Sequence, residues 1–134
     1  MLVAVDGSPE SEQALRDAER FVGEPADRIV LVTVVDADGC DGEQLARVRE
    51  LLRRGADRLA GSGARIDTEV VSGQPAQALL ERIEADEVDL VVAGRRGRGL
   101  SRALLGSVAE QLSTRSPVPV LLAAPVAVPA DRPR

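Results

Sequence analysis

Histidine, lysine, tryptophan and tyrosine are all missing from this 134-residue chain, and phenylalanine, cysteine and methionine occur once each. Each absence narrows the function. With no histidine, and with Cys40 outside any ligand cluster, a zinc or other transition-metal site is not expected. Without lysine, no Gly-x4-Gly-Lys-[Ser/Thr] phosphate loop can be built. Phe21 alone is no platform on which bases could stack. A single cysteine cannot form an internal disulfide, which fits a reducing, cytoplasmic compartment. No run approaches the roughly 18 apolar residues of a membrane span, and the opening Met1-Leu2-Val3-Ala4-Val5-Asp6 has no basic leader, so neither membrane nor signal peptide is expected. A net charge of −5 argues against general nucleic-acid binding.

What is present is an alternation of short apolar runs with amphipathic stretches. Leu2–Val5 reads as a buried strand. Ser8 then offers an N-cap and Pro9 a first helical residue, with Ala14, Leu15, Ala18, Phe21 and Val22 on one helical face. Ile29–Val35 is apolar nearly throughout, as a strand covered on both faces should be. Leu45, Val48, Leu51, Leu52 and Leu59 mark a long amphipathic helix containing Gly55. Ile66–Val71 alternates and predicts a wetter strand. Pro75 opens a helix with Ala76, Leu79, Leu80 and Ile83 inward. Val88–Ala93 and Val118–Leu122 complete five strands, the last two separated by a glycine loop and a helix around Val108, Ala109 and Leu112. Strands alternating with helices predict an α/β fold, one open parallel sheet with helices on both faces. One domain is expected over residues 1–123, with a proline-rich tail over 124–134.

The most informative stretch follows the fourth strand. Glycines at 94, 97, 99 and 106 are interleaved with Arg95, Arg96, Arg98 and Arg102, and the segment runs into a helix start. Glycines allow the backbone to approach a phosphate, and a helix N-terminus is partly positive. In a doubly wound sheet the ligand lies at the carboxyl ends of the strands, where both Asp6 and Gly94 fall. Other roles are open to the same residues. Gly94 and Gly97 could be turn glycines, and the arginines a solvated face. Asp6 could cap the turn into the first helix. Ser107 with Glu110 forms a capping-box pattern that makes Ser107 an expected N-cap, a role compatible with phosphate contact.

The opening Leu-Val-Ala-Val-Asp-Gly-Ser and the later Gly-Ser-Val-Ala-Glu and Ser-Pro-Val-Pro-Val-Leu resemble the universal stress protein family over nearly the whole chain. The resemblance implies a Rossmann-like sheet, of the kind shared with adenine nucleotide alpha hydrolases, in the order 3-2-1-4-5. It also implies a homodimer through the last strand, Val118–Leu122. Many members bind ATP, with Mg²⁺ accompanying the nucleotide, through Gly-x2-Gly-x9-Gly-[Ser/Thr]. Gly94, Gly97, Gly106 and Ser107 match that motif, but eight residues, not nine, separate Gly97 from Gly106. Asp6 matches the family's ribose contact, Val34 its adenine-side residue, and Ala93 and Val108 its neighbouring backbone or apolar contacts. The implied function is ATP binding in stress response without rapid turnover, at most a slow ATPase. The alternative within the same family is a regulatory homodimer that binds no nucleotide, which the shortened loop favours.

Overall fold

The computed structural model describes residues 1–24, 27–36, 38, 40–96 and 105–125. The chain runs β1 (Leu2–Ala4), α1 (Pro9–Arg20), β2 (Arg28–Val35), α2 (Gly42–Leu59), β3 (Arg65–Ser72), α3 (Pro75–Ala85), β4 (Val91–Gly94), α4 (Ser107–Arg115) and β5 (Val120–Ala123), with a 3₁₀ turn at Ala60–Ser62 after α2. The five strands form one sheet in the order β3-β2-β1-β4-β5. All four pairings are parallel. One row across the sheet is Thr68, Leu31, Val3, Val92 and Leu121, which fixes the register of every strand.

Strand side chains alternate between the faces, and that alternation sorts the core. Val3, Val5, Ile29, Leu31 and Val92 meet Ala14, Leu15 and Ala18 of α1 and Leu52 and Leu59 of α2. Leu2, Val30, Val32, Val91 and Ala93 meet Leu79, Leu80 and Ile83 of α3 and Leu112 of α4. The central strands are therefore buried on both sides, which is why Ile29–Val35 carries almost no polar residue. Its one exception, Thr33, is buried and donates its hydroxyl to the Val5 carbonyl at 2.8 Å.

Helix starts follow the side chains that precede them. Ser8 caps α1 by accepting the Ser11 amide at 3.1 Å, and Pro9 takes the first helical position. Asp41 caps α2 and Gln74 caps α3, each accepting the amide three residues on.

Four details differ from expectation. Ser107 is not the N-cap of α4: the cap is Gly106, in an extended conformation, with no side-chain cap bond. The Gly106 amide donates to the Arg95 carbonyl at 3.0 Å, which starts the helix at Ser107 itself. Phe21 does not join the core. It is the C-cap of α1, where the helix ends, and is 53% exposed. β4 begins at Val91, not Val88, because Glu87 takes a left-handed backbone (φ 53°) to turn the chain out of α3. Val88 is still buried beneath α3. β5 spans Val120–Ala123, so Val118 and Pro119 precede it, although the Pro119 carbonyl still accepts the Val91 amide at 3.0 Å.

Candidate functional site

Strand order reverses at β1, which is flanked by β2 on one side and β4 on the other. Such a reversal opens a crevice at the carboxyl end of the sheet. Here it holds a cavity of about 390 Å³, within the usual range for small-ligand sites. Its apolar wall is made by Val32 and Val34 of β2, Leu79 of α3, Ala93 of β4 and Val108 of α4. Its polar rim is Asp6, Ser8, Ser11, Gly94, Arg96, Gly106 and Ser107. Seven of the expected site residues, Asp6, Val34, Ala93, Gly94, Gly106, Ser107 and Val108, thus line one space. The eighth, Gly97, lies outside the described residues, as do Arg98 and Arg102.

The first turn of the site is built by β1 running into α1. Gly7 has φ 82°, a left-handed conformation that favours glycine. The exposed Asp6 accepts the Ser8 amide on Oδ1 at 2.8 Å. Ser11 Oγ accepts the amides of Asp6 and Gly7 at 3.3 and 3.2 Å and donates to the Ser8 carbonyl at 3.3 Å. The turn thus satisfies its own amides and presents a carboxylate at the rim. Asp6 serves as a turn acceptor at the cavity rim.

The second turn is built by β4 running toward α4. Arg95 is pinned at both ends of its peptide: its amide donates to the Ala123 carbonyl at 2.7 Å, and its carbonyl accepts the Gly106 amide at 3.0 Å. Gly94 sits directly against α1. A Cβ added there would lie 2.7 Å from Glu10 Cβ and 3.1 Å from the Arg96 carbonyl oxygen. Arg96 reaches across to Glu10, Nη2 to Oε2 at 2.7 Å, with side chains 13% and 7% exposed.

The electrostatics favour an anion. The first amides of a helix have no intrahelical acceptor. In α1, α2 and α3 a side chain takes one of them, whereas α4 opens on Ser107 and Val108 at the cavity wall with no side-chain cap. The partly positive α4 N-terminus and Arg96, whose guanidinium is paired with Glu10, therefore line the same space. A second cavity, about 380 Å³, lies at the opposite end of the sheet and is lined by Asp27, Asp86, Glu87 and Asp89 beside Arg28. Four carboxylates against the Arg28 guanidinium and the Met1 ammonium make it a poor host for phosphate. Among the described residues no group of three His, Cys, Asp or Glu side chains is placed to hold a metal ion, and no helix is long and apolar enough to cross a membrane.

Sequence reasoning missed Ser11, Leu79 and Pro75 as lining residues and gave Glu10 no role. Ser11 is the residue with a readable signal, because a hydroxyl three positions after an N-cap serine can close the turn.

A model of the universal stress protein family matches residues 1–124. The universal stress protein MJ0531 of Methanocaldococcus jannaschii is 30% identical, covering 91% of this chain and 79% of its own. Among solved structures, that of the hypothetical protein MJ0577 superposes with a TM-score of 0.85 at 23% identity, covering 91% of this chain and 92% of its own. A universal stress protein in complex with cAMP has a TM-score of 0.76 at 26% identity, covering 93% of this chain and 96% of its own.

Proposed function

The chain belongs to the universal stress protein family, and from that premise we propose that it binds an adenine nucleotide, ATP with Mg²⁺, and holds it without rapid turnover. The observation that carries this reading is the α4 N-terminus, whose cap residue Gly106 brings no side chain and which opens beside Arg96 onto a cavity with an apolar wall. The base would rest against Val34 and Ala93. Asp6 would take a ribose hydroxyl. The backbone of Gly94, Gly97, Gly106 and Ser107 would cradle phosphate, with Val108 closing the apolar side. Mg²⁺ would enter with the phosphates. The cAMP complex of a 26%-identical relative supports adenine nucleotides as the ligand class. What supports slow turnover is the lining: among the described residues Asp6 is the one carboxylate that lines the cavity, and its Oδ1 is engaged by the Ser8 amide. Cys40 as the sole cysteine suits work in the cytoplasm.

We further read the protein as a homodimer through β5. In the sheet β5 pairs with β4 on one side, and Val120, Leu121 and Leu122 are only half buried. An apolar edge strand of this kind is covered when a second copy meets it.

Thermal unfolding of ligand-stripped protein with Mg·ATP, AMP and cAMP tests the nucleotide reading. At ligand near 100 times its Kd, stabilisation is about 2.7 kcal/mol. For 134 residues that is a Tm rise of roughly 8–12 °C. A larger rise with Mg·ATP than with AMP supports a triphosphate cradle. No rise with any of the three, at low and high salt, refutes nucleotide binding and leaves the regulatory homodimer, with the eight-residue gap between Gly97 and Gly106 as its cause.

A further inference from the structure

Glu10 is an unusual first-turn glutamate. At the second position of α1, an acidic side chain is normally left in water, where it complements the helix dipole. Carboxylates are almost never fully buried unless paired. Here Glu10 is 5% exposed and its partner is Arg96, at 2.7 Å. Arg96 itself lines the cavity. A salt bridge that only stapled α1 to the sheet could sit anywhere along their contact. This one sits at the wall of the candidate nucleotide site.

We propose that Glu10 is a positioning residue for the nucleotide's phosphates: it holds the Arg96 guanidinium at the cavity wall, where Arg96 makes the phosphate contact. The proposal rests on the nucleotide-binding reading above and names a further part of the same site. Three anchors set the geometry. The Arg95 peptide is tied to β5 through Ala123 and to α4 through Gly106. Gly94 leaves no space between the loop and α1, its Cβ position lying 2.7 Å from Glu10 Cβ. The Glu10 carboxylate then fixes the far end of the long Arg96 side chain. A guanidinium carries five N–H donors in a rigid fork, enough to meet a carboxylate on one side and a phosphate on another. Held in place beforehand, it loses less rotamer freedom when the phosphate arrives.

The test compares ATP, AMP and adenosine on the wild-type chain, Glu10→Ala, Glu10→Gln, Arg96→Ala and the double alanine variant, by titration calorimetry. Adenosine has no phosphate, so it reports the rest of the site. Arg96→Ala and Glu10→Ala are each expected to weaken ATP and AMP roughly tenfold, the scale of one charge-assisted hydrogen bond. Adenosine should stay within about twofold, because neither side chain acts on the base or ribose in this reading. The double variant should lose no more than Arg96→Ala alone, since Glu10 acts through Arg96. Glu10→Gln keeps an acceptor of similar size and should recover part of the loss. It also supplies the comparison if Glu10→Ala does not fold. A Glu10 variant with the wild-type ratio of ATP to adenosine affinity overturns the proposal, and so does one that weakens both ligands equally, which is a structural effect. If the wild-type chain binds neither ATP nor AMP, the nucleotide reading fails and the proposal falls with it.

Discussion

Replacing Gly94 by alanine should be a damaging single-methyl change at the site. Gly94 ends β4, opposite Ala123 of β5, and its missing Cβ points at α1. An alanine methyl there would be 2.7 Å from Glu10 Cβ, 3.2 Å from the Glu10 carbonyl carbon and 3.1 Å from the Arg96 carbonyl oxygen. Carbon atoms pack best at about 3.5–4.0 Å, so the overlap with Glu10 is close to an ångström. Two of the three obstacles are backbone, so rotating a side chain does not relieve the clash. Either α1 moves away from β4 or the Gly94–Arg96 corner shifts, and both disturb the Glu10–Arg96 contact. Overpacking of this kind typically costs about 1–3 kcal/mol, and a backbone obstacle points to about 2–3 kcal/mol. With an unfolding entropy near 2.1 cal/mol/K per residue, a chain of 134 residues should lose roughly 7–11 °C in Tm. The assay is thermal unfolding by circular dichroism, with Gly42→Ala as the control. Gly42 is the first residue of α2, and a Cβ there meets nothing within 4 Å, so that change should be neutral or stabilising by up to about 1 kcal/mol. A Gly94→Ala protein that melts within about 2 °C of wild type would refute the steric reasoning.

Two further outcomes follow from the edges of the sheet. The hydrogen bond from Arg28 Nε, at 2.8 Å, holds the Asp67 carboxyl below the usual carboxylate range, and the Glu24 and Gly23 amides do the same for Asp27. A folded pKa below the unfolded value gives stability that is present above roughly pH 4 and lost as pH falls through the folded value. The urea midpoint should therefore fall in acid, and less steeply for Asp67→Asn than for wild type; equal slopes would refute the assignment. At the opposite edge, charged residues in place of Pro119 and Val120 should shift the light-scattering mass from a dimer toward the 14.1 kDa monomer, and an unchanged dimer mass would count against the β5 interface.

Element order was legible in the chain because each signal is local. Ser8-Pro9 and Gln74-Pro75 mark helix starts, Ile29–Val35 marks a strand buried on both faces, and alternation in Ile66–Val71 marks the wetter edge strand β3. The carboxyl-end placement of Asp6 and Gly94 also followed from sequence, since in a parallel sheet each strand delivers its last residue to the same side. The order 3-2-1-4-5 and the ligand class came from family resemblance, because periodicity says nothing about which strands are neighbours. What sequence could not show depends on contacts between distant segments. Helical spacing places Phe21 inward, but α1 ends there and the ring stays in solvent. A capping box favours Ser107, but the Gly106 amide is taken by Arg95 and the helix starts one residue sooner. Glu10 carries no role in the sequence reading, and only folding lays α1 on the Gly94 corner and brings its carboxylate to within 2.7 Å of Arg96. Local pattern set which elements form, and their packing against one another decided which polar groups lost water and had to find partners.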